Sequence, residues 1–154
     1  MRTDRVFNTA FETSLRILLL LDVSDIDLDE QTIRAADFIA TYGKEFELSD
    51  DSPNGDNPYM YCELAARKSL TNEAMKLLVI DGFVLPSATE SGFLYRITLR
   101  GHRYASSLES RYAEEYQRAA SSALGLIEAR GIASVFAVIR EKARYASKME
   151  LDNE

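Results

Sequence analysis

Few side chains in this sequence could do covalent or acid–base chemistry. There is one histidine, His102, and one cysteine, Cys62. A nucleophile needs an oriented base beside it. His102 follows Gly101 just inside an expected helix, the position of a surface or boundary residue. Cys62 falls in a helical stretch between Tyr61 and Glu63, where a small buried hydrophobe is the simpler reading. One cysteine excludes an internal disulfide and suits a reducing cytoplasm. One Cys and one His cannot assemble an ordinary zinc site within one chain. Acidic residues gather from Asp22 to Asp37. Paired carboxylates do acid–base work or hold a metal only where a cleft shifts their pKa values, and otherwise form a solvated face. The glycines are scattered and no Gly-Lys-Ser/Thr occurs, so no phosphate-cradling loop is expected. The sequence therefore predicts no catalytic residue, no cofactor-binding residue, no metal ligand and no enzyme activity.

The 154 residues suffice for one domain, and 46% apolar composition can fill a core. The longest aliphatic run, Ile17 to Leu21, is too short to span a bilayer, and Met-Arg-Thr-Asp does not open like a signal peptide. No membrane association is expected. The net charge of -7 is uneven. Asp22 to Glu63 holds twelve Asp/Glu against two basic residues, Arg34 and Lys44, which argues against a phosphate-binding surface there. Tyr95 to Lys148 holds ten Lys/Arg against five Glu, a balance that could face nucleic acid or an acidic partner.

These residues must be positioned by mostly helical elements. Thr9-Ala10-Phe11-Glu12 has capping-box spacing. Phe7, Phe11, Leu15 and Leu18 then recur at helical spacing, and a helix so apolar should be central to the core. A second helix opens at Asp27-Leu28-Asp29-Glu30, carries Ile33, Ala36, Ile39 and Ala40 inward, and stops at Tyr42-Gly43. Lys44 to Pro58 is nearly all turn formers and reads as a mobile loop. Next come a short helix at Glu63 to Ala66, a turn at Arg67 to Leu70 with Ser69 as cap, and a helix running to Asp81-Gly82. Phe83-Val84-Leu85 and Phe93-Leu94-Tyr95-Arg96-Ile97 form a hairpin whose tip holds Thr89, Ser91 and Gly92. Thr98 caps a long helix to Arg130, ended by Gly131, and Ile132 to Ala146 is the last helix. The predicted fold is mainly α with a small β-hairpin, a winged helix-turn-helix over residues 1–110 with a C-terminal helical extension over 111–154. Leu18 and Leu78 are expected in its core.

A helix-turn-helix invites a DNA-binding reading, in which a recognition helix presents Arg, Lys, Asn or Gln to base edges. Here that helix offers Asn72, Glu73 and Lys76, and the wing tip Thr89, Glu90 and Ser91. So little cationic charge predicts weak DNA contact at most and favours protein docking. A winged-helix transcription regulator using Asn72 and Lys76 is the alternative. The extension offers a second surface. Tyr112, Tyr116 and Ile127 share one helical stripe, and Ile132, Val135, Phe136, Ile139 and Ala143 share another. A complete winged-helix core leaves such a stripe to pack on its own chain or on a partner. Tyr112, Tyr116, Ile132, Phe136 and Ile139 are therefore the candidate interface, with Phe136 as anchor of a homodimer or of ATPase docking.

Phe7-Asn8-Thr9-Ala10-Phe11-Glu12, Arg16 with the leucine run to Asp22, Asp37-Phe38-Ile39, and Ser91-Gly92-Phe93-Leu94-Tyr95-Arg96-Ile97-Thr98 continuing through Leu108 to Arg111-Tyr112-Ala113 resemble the middle components of bacterial ABC-three-component defence systems. The likeness runs from about Phe7 to Ala129. The acidic stretch Asp50 to Asp56 departs from it. The resemblance implies a non-enzymatic cytoplasmic adaptor that sits on an SMC-like or ABC-type ATPase and couples it to an effector, as in Lamassu-type antiphage systems. It implies no catalytic or cofactor residue.

Overall fold

A computed structural model describes residues 9–42 and 63–141. The element order is α1 (Ala10–Asp22), β1 (Leu28–Asp29), α2 (Glu30–Thr41), α3 (Glu63–Ile80), β2 (Val84–Thr89), β3 (Gly92–Ile97), α4 (Leu99–Ser107), α5 (Arg111–Arg130) and α6 (Ile132–Glu141). The strands form one antiparallel sheet in the order β1-β3-β2. A mainly helical chain with this small sheet is compatible with a winged-helix-like fold carrying C-terminal helices, as the sequence predicts.

Helix caps act where the sequence places them. The Thr9 side chain accepts from the Glu12 N–H at 3.1 Å, Asp29 from Thr32 at 2.8 Å, and Thr98 from Gly101 at 3.0 Å. Each satisfies an N–H that the first helical turn leaves without a partner. Gly131 ends α5 at φ +83°, with its N–H on the Ile127 carbonyl at 2.7 Å. Its own carbonyl accepts from Val135 and starts α6, and the chain bends 109° at this break.

Helix α1 is central and packs against α2, α3, α4, α5 and β3. Ile17, Leu18 and Leu20 are fully buried, as are Ile33, Ala36, Ile39 and Ala40 of α2, and Leu78 of α3 joins them. Ala119, Ala120, Ala123 and Ile127 of α5, and Val135 and Ile139 of α6, belong to the same core cluster.

Three local expectations are corrected, and one strand is added. The predicted turn at Arg67–Leu70 does not form: α3 is one helix of 18 residues and Ser69 caps nothing. Arg, Lys and Leu favour helix, and one serine among them cannot stop it. The two helices ahead of the hairpin are instead α2 and α3. The predicted long helix to Arg130 is broken at Leu108 and Glu109, and α5 restarts where the Ser110 side chain accepts from the Ala113 N–H at 3.0 Å. Strand β1, two residues paired as Leu28↔Tyr95 and Asp29↔Leu94, is too short to show any alternation in sequence. Phe11 was expected on the inward stripe of α1 yet is 59% exposed, whereas Thr13, Ser14 and Arg16 are buried. The stretches 43–62, which include Cys62 and the acidic loop, and 142–154, which include Ala143, lie outside the described residues.

Candidate interaction surface

Two features stand apart from the apolar core: a buried ionic cluster that holds four helices together, and an apolar face that the core leaves uncovered.

The ionic cluster centres on Asp37, which is 0% exposed. Its Oδ1 accepts from Arg16 Nε at 2.9 Å and from the Tyr116 hydroxyl at 2.7 Å. Its Oδ2 accepts from Arg16 Nη2 at 3.2 Å and from Arg67 Nη1 at 2.7 Å. Arg16 also donates to the Thr13 hydroxyl, and Arg67 to the Thr41 hydroxyl. The Arg67 guanidinium lies 5.4 Å from the centroids of both the Phe38 and Tyr42 rings. Helices α1, α2, α3 and α5 each supply a member. Burial alone would raise the Asp37 carboxyl. The charges of Arg16 and Arg67, with the hydrogen bonds from Arg16 and Tyr116, outweigh burial and hold it below its ordinary 3.8. Burial works against the Arg16 cation, but Asp37 more than restores it and raises its pKa. Burial first, then the Asp37 charge, pushes the Tyr116 phenol well up, and burial takes neighbouring Tyr112 up to about 12. These shifts favour the ionised Asp37 and Arg16 and the neutral phenols at neutral pH, and the cluster joins four helices. Arg16 and Asp37, which the resemblance singles out, are thus direct partners across 21 residues of sequence.

The uncovered face lies between α3 and the hairpin. Phe83 accepts from the Thr98 N–H, so alternation along the ladder makes Val84↔Ile97, Pro86↔Tyr95 and Ala88↔Phe93 the non-hydrogen-bonded pairs, all on one sheet face. That row runs out of the core. Val84 is buried, Tyr95 and Pro86 are half-buried, and Phe93 is 55% exposed. Helix α3 forms the other wall with buried Met75, half-buried Val79 and Ile80, which is 79% exposed. Together they wall a groove of about 440 Å³. Asn72 and Lys76, the sequence's candidate DNA contacts, line it, and Lys76 is its only charged lining residue among those described.

The candidate interface of the C-terminal helices is placed differently. Tyr116 and Ile139 are 0% exposed, turned into the chain's own core, while Tyr112, Ile132 and Phe136 are half-buried. The Arg34 guanidinium sits 5.3 Å from the centre of the Phe136 ring, and Gln31, Arg34, Ile132, Phe136 and Arg140 line a cleft of about 410 Å³. Sequence reasoning missed Arg16, Asp37 and Arg67 as a unit, because periodicity assigns charged residues outward. A charged residue inside an otherwise apolar helical face was the available signal. His102 pairs through Nδ1 with Asp22 and ties α4 to the end of α1. Among the described residues no group of three or more His, Cys, Asp or Glu is placed to hold a metal. No single helix there is long and apolar enough to cross a membrane.

No curated protein and no solved structure matches the chain. A family model, ABC-three component (ABC-3C) system Middle Component 2, matches residues 6–149, nearly the whole sequence and every element described above. The chain belongs to the Middle Component 2 family of ABC-three component systems.

Proposed function

We propose that this chain is a non-enzymatic cytoplasmic adaptor that links an SMC- or ABC-type ATPase to an effector subunit of a bacterial defence complex. Membership in a three-component system implies partner subunits. The observation that carries the adaptor reading is the chemistry of the α3–hairpin face. A winged helix that reads DNA needs cations there, because neutralising phosphate drives binding. This face instead presents Ile80 and Phe93 to solvent, with Lys76 the one charged residue lining its groove. Exposed apolar surface between polar rims suits a protein partner.

An adaptor that joins two subunits needs two faces. The cleft of α2 and α6 supplies the second, with Phe136 as its apolar floor and Arg34 and Arg140 at its edge. Co-expression of all three components, followed by size-exclusion chromatography with light scattering, tests the reading. The chain should elute at the mass of a complex containing both other components. Elution alone at its own 17.3 kDa would overturn the proposal. The regulator alternative makes the opposite prediction in a mobility-shift assay: nanomolar, sequence-specific duplex binding at physiological salt, lost on changing Asn72 and Lys76.

A further inference from the structure

We infer that the groove between α3 and the hairpin receives an amphipathic helix of another component of the system. That helix sets two large apolar side chains against Ile80 and Phe93 and a carboxylate against Lys76. The inference rests on the adaptor reading and names the occupant of its first face.

Three observations select this occupant. The first is the continuity of the apolar row. Ile97 and Val84 belong to the core side of the hairpin, Tyr95 and Pro86 come next, and Phe93 follows beyond the core with its ring 6.4 Å from that of Tyr95. The row is longer than this chain can cover, and an occupant extends the same core outward. The second is the free edge of the sheet. Strand β2 is the outer strand, so a partner strand could in principle add to it. Pro86 lies at a non-hydrogen-bonded pair, so its nitrogen faces that free edge and has no hydrogen to donate. Strand addition is blocked at the middle of β2, and a helix, which satisfies its own backbone, is the element that fits. From Asn72 to Ile80 the α3 wall is about 12 Å long at 1.5 Å per residue, which two to three turns of a partner helix span.

The third is charge. Lys76 lines the groove beside apolar neighbours, and a carboxylate opposite it completes the pair. A second copy of this chain packed groove to groove would set one concave face against another and leave both unfilled. Duplex DNA would meet Lys68 and Lys76 along α3, with the carboxylate of Glu73 exposed between them.

The test uses the full chain co-expressed with the ATPase and effector components of its own system. Ile80→Glu and Phe93→Glu place a charge at exposed positions, so circular dichroism should report an unchanged fold. Each should weaken co-purification with one component by about tenfold or more, the loss expected when an interface anchor is removed. Lys76→Glu should weaken the same component and no other, and a Lys replacing the facing acid of the partner should restore it. Ile26→Glu, also exposed but on a separate concavity beside β1, should leave binding unchanged. In the wild-type complex, amides of α3 and the hairpin should gain hydrogen-exchange protection. If the complex forms and the folded Ile80 and Phe93 variants retain it in full, the groove is not the docking site and the adaptor reading stands. If wild-type chain assembles with neither component, the adaptor reading fails and takes the groove with it. If the isolated chain is a dimer that the groove variants dissolve, the occupant is a second copy and the inference is overturned. Should both variants unfold, absence of protection over α3 and the hairpin in the wild-type complex would refute it.

Discussion

Replacing Asp37 by Asn tests whether the buried cluster holds the four helices. The carboxylate has no exposure and accepts four hydrogen bonds of 2.7 to 3.2 Å from Arg16, Arg67 and Tyr116. Asn preserves the volume but removes the charge, leaving the guanidinium groups of Arg16 and Arg67 facing a neutral amide. Its NH2 also turns a donor toward groups that donate. Breaking a buried pair in this way costs about 3–5 kcal/mol. Tyr116→Phe removes one hydrogen bond to a charged acceptor and should cost about 1.5–3 kcal/mol. The double variant should lose less than the sum, because the hydroxyl's partner has already changed. The pH dependence follows from the sign of the shift. The folded carboxyl lies below its ordinary 3.8, so the native state favours the ionised form. Its stabilisation is complete above the unfolded value and is lost as pH falls below about 4 and through the folded pKa. Urea unfolding followed by circular dichroism at pH 7 and at pH 3 to 4 measures both effects. Wild type should lose stability across that acid range, and the Asn variant should lose distinctly less. A change under about 1 kcal/mol at pH 7, with an unaltered acid slope, would show that solvent or relaxation screens the cluster and that its role as a clamp is wrong.

Three further outcomes are expected. Gly101→Ala should destabilise by about 1–3 kcal/mol or more in thermal melts, because its new Cβ would lie 2.2 Å from the Phe83 carbonyl oxygen and 2.8 Å from Ile97 Cγ1. That carbonyl cannot retreat without losing its 2.9 Å hydrogen bond from Thr98, so an unchanged melting temperature would contradict the packing of α4 on the hairpin. Gly125→Ala, mid-helix in α5 with nothing within 4 Å of the added carbon, should stabilise by about 0.8–1 kcal/mol through helix propensity, as a shift in urea midpoint would report. Phe136→Glu sets a carboxylate between Arg34 and Arg140, so the chain should stay folded by circular dichroism. It should lose one component of the complex while keeping the one held by the α3–hairpin groove; retention of full partner-bound mass would remove Phe136 as an anchor.

What the sequence determines by itself here is local. Capping hydroxyls at Thr9 and Thr98, the Asp29 carboxylate within the Asp27-to-Glu30 helix start, and the φ-permissive Gly131 act within four residues, and each is seen at a helix end that the sequence marks. The apolar spacing of α2 needs only the knowledge that one face is buried. The family could be read because its strongest motif, Ser91 to Thr98, is a contiguous strand and cap. Other features depend on distant partners. Arg67 carries the signal of a surface residue, yet Asp37, 30 residues away, takes its guanidinium into the core. Strand β1 exists because Leu28 and Asp29 meet Tyr95 and Leu94 across the sheet. Tyr116 and Ile139 carry the same apolar signal as Phe136, and only the tertiary packing of α5 and α6 separates those that are fully buried from the one left half-buried. Periodicity tells which residues share a face. It does not tell how much of that face the chain's own core has length enough to cover, which is why the overhang at Ile80 and Phe93 emerges only in three dimensions.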